Sequence, residues 1–332
     1  MSSYLPSLQT FVKATAGTVA TLTCLATILV LAGQYYLIYP SYLPAESRTV
    51  VDVPSKYGLP YEDLELKTSD GVLIKAYLML QNHTDHRHGL SEEEYIASRP
   101  TVIMFHGNAG NFGHRIPLAR MFFNHMHCNV LMVCYRGYGL SKGSPSERGL
   151  QKDAQAGLDY LLAHPVLKRS PIVLYGQSIG GAVAIDLASK NQQTPDAPIR
   201  ALILENTFTS LPALVPHVMP PLGRFAFLCH QKWDSASKVP SIPAETPVLM
   251  LSGVKDEIVP REHMRRLWTV VKARKRRDGT TEKVVSRSGE KGDGDEVHGN
   301  SKFVEFPSGT HNDTCVQAGY WNVIADFMSN LS

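Results

Sequence analysis

Residues 176–180 read Gly176-Gln177-Ser178-Ile179-Gly180, a serine flanked by glycines two positions away on either side. A G-x-S-x-G between a strand and a helix holds its serine hydroxyl on a sharp turn beyond the end of a sheet, open to a substrate carbonyl. Context decides whether the pattern means this. "PIVLYGQS" supplies a strand before the serine and "IGGAVAIDLA" a helix after it, so Ser178 is the expected nucleophile. Gly176 and Gly180 stand where side chains would crowd such a turn. A serine hydroxyl attacks poorly without a neighbouring base. His311, in "FPSGTHND" after the last apolar run, is the expected base because it completes the chain order Ser…Asp…His. The acid that orients it is expected at Asp256, which closes "PVLMLSGVKD". Glu205, in "ALILENT", is the rival because it too ends an apolar run, while Glu257 reads as solvated. His106, in "FHGNAGN", reads as a residue that orders its own loop rather than as a base. The negative oxygen formed on attack needs donors aimed at it. The expected pair is the backbone N–H of Ile179, at the positive end of the following helix, and that of Asn108, in the loop after the run at 101–105. Such chemistry requires neither a metal nor an organic cofactor.

These groups have to be carried by elements that bring them together. "EDLELKTSDGVLIKAYLML" alternates in polarity around Asp70-Gly71 and predicts a hairpin. After it come "TVIMFHG", "NVLMVCYRG", "PIVLYGQS", "ALILENT", "PVLMLSGVKD" and "KFVEFPSGTH", separated by helical patterns near 114–126, 147–163, 179–190, 260–272 and 316–330. Nearly continuous apolar strands alternating with helices predict an α/β protein: a mostly parallel central sheet with helices on both faces. Ligands of such sheets bind beyond the carboxyl ends of the strands, where Ser178, Asp256 and His311 are expected. Two stretches break the rhythm. Residues 208–246, rich in proline and apolar clusters, predict a small cap over the strand ends, with Leu214, Val218, Met219, Phe225 and Phe227 as candidates to line an acyl channel or simply to pack the cap. Residues 272–301 are charged and glycine-dotted with no apolar period, and predict a disordered insertion.

The net charge of +3 is local, since residues 272–302 hold nine Lys/Arg against six Asp/Glu. The rest of the chain is neutral, which excludes a basic nucleic-acid groove. Five cysteines show neither a C-x-x-C nor a metal spacing; Cys128, Cys134, Cys229 and Cys315 read as small buried hydrophobes. Residues 14–45 carry no charge and end in a tyrosine cluster, which predicts a transmembrane anchor with its juxtamembrane segment over 1–45, ahead of a catalytic domain over 46–332. A cleaved signal peptide is the alternative. The expected location is a single-pass protein of the endoplasmic reticulum or plasma membrane. Asn82 and Asn312 head N-x-[ST] sequons, and a lumenal domain would have to leave Asn312, beside the expected base, without a glycan.

"FHGNAGN", "YRGYGLSKGSPSE", "LYGQSIGGAVA", "ENTFTSL", "GVKDEIVP" and "GTHND" together, in this order, resemble the fungal bud-emergence family of membrane α/β-hydrolases. The resemblance extends to α/β-hydrolase-domain-containing proteins thirteen and seventeen and runs from about residue 60 to 330. It implies the α/β-hydrolase fold, a membrane-associated enzyme and the triad Ser178, Asp256 and His311. The seventeen-type relatives are protein depalmitoylases, which implies a thioester as one possible substrate. The expected function is a membrane-anchored serine hydrolase of acyl esters or thioesters, with a lipid or a lipidated protein as partner. An acylglycerol lipase, a serine peptidase or a non-catalytic polarity scaffold are the alternatives.

Overall fold

The computed structural model describes residues 7–82, 89–191, 198–280 and 295–331. The expected hairpin is present as β1 (Glu62–Lys67) and β2 (Leu73–Met79), paired antiparallel. Beyond it lie β3 (Thr101–Phe105), β4 (Asn129–Val133), β5 (Ile172–Gln177), β6 (Ile199–Glu205), β7 (Val248–Gly253), β8 (Glu296–His298) and β9 (Ser301–Phe306). They form one sheet in the order β1-β2-β4-β3-β5-β6-β7-β9-β8. The stretch from β4 through β9 is parallel, and β1, β2 and β8 add antiparallel edges.

Burial explains the missing alternation. Every residue of β3, β4, β5 and β7 is buried, so both faces of these strands are mostly apolar, and the polar exceptions Thr101, Asn129, Gln177 and Ser252 are buried with them. The helices that follow the hairpin are α2 (Glu92–Ser98), α3 (Ile116–Arg120), α4 (Glu147–Ala163), α5 (Ile179–Asn191), α6 (Leu211–Val218), α7 (Ser235–Lys238), α8 (Arg261–Lys272) and α9 (Tyr320–Ser329), after the amino-terminal α1 (Leu8–Ile38). Helix α5 packs on α4 and α7, while Phe122, in the turn after α3, meets Trp321 of α9 edge to face at 5.5 Å. Helix α8 turns a single stripe inward, with His263, Met264, Leu267, Trp268 and Val271 buried. Cys128, Cys134 and Cys315 are free and buried in this core, as expected of small hydrophobes, and Cys229 is free and buried at the end of the segment Pro220–Leu228.

Between β6 and β7 the chain builds α6, a 3-10 segment Pro220–Leu228, and α7 over the strand ends. The apolar cluster of 208–246 therefore sits above the sheet rather than in it. Arg136, from the "YRGYG" stretch, ties the hairpin to the sheet. Its Nε donates to the buried Asp153 at 2.9 Å, and Nη1 and Nη2 donate to Asp70 at 2.8 and 2.9 Å.

One expectation meets a different structure. Disorder over 272–301 is corrected at both ends. Arg274 is buried and donates from Nη1 to the carbonyls of Pro243 (3.1 Å) and Thr246 (2.9 Å) and from Nη2 to Ser301 Oγ (3.1 Å). Trp268 Nε1 donates to Glu296 at 2.6 Å, and β8 pairs with β9. A buried guanidinium compensated by three distant acceptors leaves no apolar period to read. Residues 281–294 of the same stretch lie outside the described residues. The transmembrane anchor expected over 1–45 coincides with α1, whose Leu8, Phe11, Leu22, Leu25 and Ile28 are exposed. Among the described residues no helix is long and apolar enough to cross a membrane. The side chains at 26 and 29–32, in the most apolar part of α1, lie outside those described.

Candidate active site

Ser178 is the one residue between the end of β5 and the start of α5. Its φ is 55°, in the left-handed region that a side chain resists. Such strain persists only where the surroundings over-determine it, and here they do. The Ser178 N–H donates to the Glu205 carbonyl at 2.9 Å, and the Ser178 carbonyl accepts from Thr207 Oγ1 at 2.8 Å and from the Gly181 N–H at 3.0 Å. The two flanking glycines are required by contact. A Cβ on Gly176 would lie 2.2 Å from the Gly180 carbonyl oxygen, and one on Gly180 would lie 2.1 Å from that of Phe105. The first turn of α5 thus presses directly on the end of β3. Gly180→Ala must push the two apart. A displacement of about 1 Å at a reacting group costs on the order of 10²-fold, so kcat/KM on p-nitrophenyl butyrate is expected to fall by about that factor or more. Wild-type turnover in this variant would mean that the close approach does not position the site.

That approach also joins the two expected oxyanion donors. Ile179 opens α5, where N–H groups have no intrahelical acceptor. Asn108 lies in the loop leaving β3, just past the carbonyl against which Gly180 packs. Among the described residues neither N–H donates to a backbone acceptor. The loop is held from behind: Tyr138 Oη donates to Asn108 Oδ1 at 2.9 Å, and Tyr135 Oη to the His106 carbonyl at 3.1 Å. His106 itself has the ordering role expected of it. It is buried, its Nδ1 bonds to the Gly107 carbonyl at 2.8 Å, and burial pushes its pKa down to about 3, so it is neutral.

His311 and Asp256 are brought together by the loops after β9 and β7. His311 Nδ1 lies 2.8 Å from Asp256 Oδ2, with the Asp256 side chain only 1% exposed. The other carboxylate oxygen, Oδ1, accepts from the N–H groups of Ile258 (2.9 Å) and Val259 (2.7 Å). The imidazole therefore has its Nδ1 occupied and its Nε2 left for another partner. Glu257 differs from its reading as merely solvated. Though exposed, it accepts the His311 N–H at 3.2 Å, because the turn after β7 places both neighbouring carboxylates against one loop. The rival acid, Glu205, is wholly buried and committed elsewhere. Tyr175 Oη donates to Oε2 at 2.6 Å, Tyr320 Oη also donates to Oε2, and Gln177 Nε2 donates to Oε1 at 3.2 Å. Burial raises its pKa, and the two tyrosine hydrogen bonds offset only part of that rise.

Asn206, which the chain order did not single out, organises the His311 loop. Held at φ 45°, it donates to the carbonyls of Thr310 and His311, both at 3.2 Å, and accepts from the Gly253 N–H at 2.8 Å. A polar residue one position past a buried strand, in "ENTF", is the signal that could have found it. Nothing in the sequence points to Tyr320.

Ser178, Ile179, Asn108 and His311 line one cavity of about 920 Å³, and Asp256 reaches it through His311. Of the cap residues expected along a channel, Leu214, Val218, Met219 and Phe225 line it. Phe227 does not: it is 72% exposed, because the 3-10 segment turns it outward. Chemically, one largely apolar cavity is lined by a hydroxyl on a strained elbow, an imidazole with a carboxylate on its Nδ1, and two residues whose N–H groups have no backbone acceptor among the described residues.

Residues 97–242 match the family described as serine aminopeptidase, S33. Protein bem46 of Schizosaccharomyces pombe is 43% identical over 311 residues, covering 92% of this chain and 90% of its own. The uncharacterized membrane protein YNL320W of Saccharomyces cerevisiae is 37% identical, covering 92% of this chain and 94% of its own. Among solved structures, the Pyrococcus furiosus esterase Pf2001 superposes with a TM-score of 0.60 at 18% identity, over 86% of this chain and 96% of that one.

Proposed function

The chain belongs to the α/β-hydrolase family of protein bem46, and on that premise we propose that it is a serine hydrolase of acyl esters or thioesters, working through Ser178, His311 and Asp256. The observation that carries this reading is the 2.8 Å His311–Asp256 hydrogen bond, with His311 lining the same cavity as the elbow serine. Ser178 Oγ bonds to the substrate carbonyl carbon while its proton passes to His311 Nε2. Asp256 keeps the imidazole in the tautomer that can accept it. The N–H groups of Ile179 and Asn108 take the negative oxygen. Collapse breaks the C–O or C–S bond as His311 returns the proton to the leaving alcohol or thiol. A water, deprotonated by His311, then attacks the acyl-enzyme and releases the carboxylic acid and the free serine.

A peptidase is less well supported, although the matched family bears an aminopeptidase name. Holding a peptide amino terminus calls for a carboxylate in the cavity, and none lines it among the described residues. A non-catalytic scaffold would have no use for the strained elbow. The test is a fluorophosphonate probe on the full chain, with the modified residue located by mass spectrometry. A single adduct on Ser178 is expected, and a folded chain that takes up no probe would return the scaffold reading.

We infer membrane association from the exposed apolar side chains of α1 and from the relative that is called a membrane protein. Single-pass insertion at the endoplasmic reticulum or plasma membrane is part of the same proposal. It expects the chain to stay in the membrane pellet through carbonate extraction; release into the supernatant would remove the insertion.

A further inference from the structure

Helix α1 is attached to the catalytic domain in a way that a tether does not require. Near its end the Gln34 amide clamps the cap backbone: Nε2 donates to the Leu228 carbonyl at 2.9 Å, and Oε1 accepts from the His230 N–H at 3.0 Å. The Tyr35 ring meets His230 edge on at 5.2 Å. One residue past α1, the buried Tyr39 donates from its hydroxyl to Gln231 Oε1 at 3.0 Å and accepts from Trp233 Nε1 at 2.9 Å. A linker that only held the domain near a surface would gain nothing from satisfying buried polar groups of the cap.

What this attachment borders is the open cavity above Ser178. Leu37 and Ile38 of α1 stand among its lining residues with Leu214, Val215 and Leu222 of the cap, and Ser178 and His311 complete it. Small-molecule sites run to roughly 300–1,000 Å³, so at about 920 Å³ this one is far larger than a short acyl group needs. Its apolar character also continues outward along the same two elements. Val218, Leu222 and Phe225 of the cap are 49%, 41% and 54% exposed, and Leu22 and Leu25 of α1 are 60% and 56% exposed. Apolar surface running from a reactive centre to the outside suits a molecule drawn from a lipid phase better than one taken from water.

We propose that α1 is a substrate-binding element: with the cap it forms a cavity that holds the chain of a long-chain acyl ester or thioester while Ser178 meets its carbonyl. The proposal rests on the hydrolase reading above and adds the acyl chain length and the wall that selects it. The lining is the same whether the acyl group sits on a lipid alcohol or on a thiol, so matched dodecanoyl ester and thioester substrates identify the linkage.

The test measures kcat/KM for p-nitrophenyl butyrate and p-nitrophenyl laurate, below micelle-forming concentrations, on the full-length chain. Each buried methylene favours binding roughly fourfold, so the wild type is expected to prefer laurate by about 10²-fold or more. Two variants act on the wall differently: Gln34→Ala releases the clamp, and Leu37→Trp fills part of the chain's space. Each is expected to lower the laurate-to-butyrate ratio at least tenfold. A wild type that labels with a short fluorophosphonate but shows no chain-length preference overturns the acyl cavity and leaves the hydrolase reading standing. Variants that lose both esters by the same factor also overturn it, because α1 would then support the fold and not the chain. A wild type that neither labels nor turns over either ester removes the underlying reading.

Discussion

Ser178→Ala is expected to abolish fluorophosphonate labelling and to lower ester turnover by about 10⁶-fold, the scale on which loss of a nucleophilic serine is felt in serine hydrolases. The change removes a single heavy atom. It leaves the backbone bonds of the elbow, from the Ser178 N–H to Glu205 and to the Ser178 carbonyl from Thr207 and Gly181. Alanine at φ 55° is strained much as serine is, so the substitution neither adds nor relieves backbone strain. The melting temperature should therefore stay at the wild-type value while chemistry disappears. The pairing of the two readouts matters, because a variant that lost activity through unfolding would lose both. Labelling of Ser178→Ala at the wild-type rate would place the nucleophile elsewhere.

The second large effect separates two carboxylates. Asp256→Asn is expected to lower kcat by about 10⁴-fold, whereas Glu205→Gln should stay within about tenfold of wild type. In Asp256→Asn, Oδ1 can still accept from Ile258 and Val259, so the loop keeps its shape. The amide NH₂ then faces His311 Nδ1 and favours the tautomer with the proton on Nε2, which cannot take a proton from serine. Among the described residues the Glu205 carboxylate makes no hydrogen bond to the His311 side chain. Its Oε2 accepts from Tyr175 and Tyr320, and a glutamine oxygen can go on accepting from both, so that only the 3.2 Å bond from Gln177 Nε2 to Oε1 is lost. Steady-state kinetics on p-nitrophenyl butyrate decide the matter. A severe defect in Glu205→Gln beside a mild one in Asp256→Asn would reverse the assignment and make Glu205 the acid.

Much of the fold, and the placing of the candidate groups at strand ends, is legible in the sequence. The strand-turn-helix around Ser178 shows because its determinants are local: a β-branched run, two glycines at fixed offsets, and a small-residue helix. The parallel sheet shows for a related reason, since strands buried on both faces are mostly apolar along their whole length. His311 and Asp256 are singled out by their places after strand ends, a rule of topology applied to the chain order, and the structure sets the two side chains 2.8 Å apart. Phe227 was misplaced because an apolar residue in a 3-10 segment has no period that tells inward from outward.

By itself, then, the sequence determined the α/β layering, the elbow and a short list of candidate groups at the strand ends, because each depends on residues close together in the chain. Tertiary structure alone decided which of them meet. Glu205 is withdrawn from His311 by Tyr320, a residue 115 positions away, and Gln34 reaches its partner in the cap across 194. Arg274 is ordered by acceptors at 243, 246 and 301, in a stretch whose composition reads as disorder. A hydrogen bond between distant residues satisfies a buried polar group without imposing any period on the sequence around it. The pairing of Asp256 with His311, and the place of Leu37 and Ile38 of α1 among the residues lining the cavity, become visible only when the chain has folded.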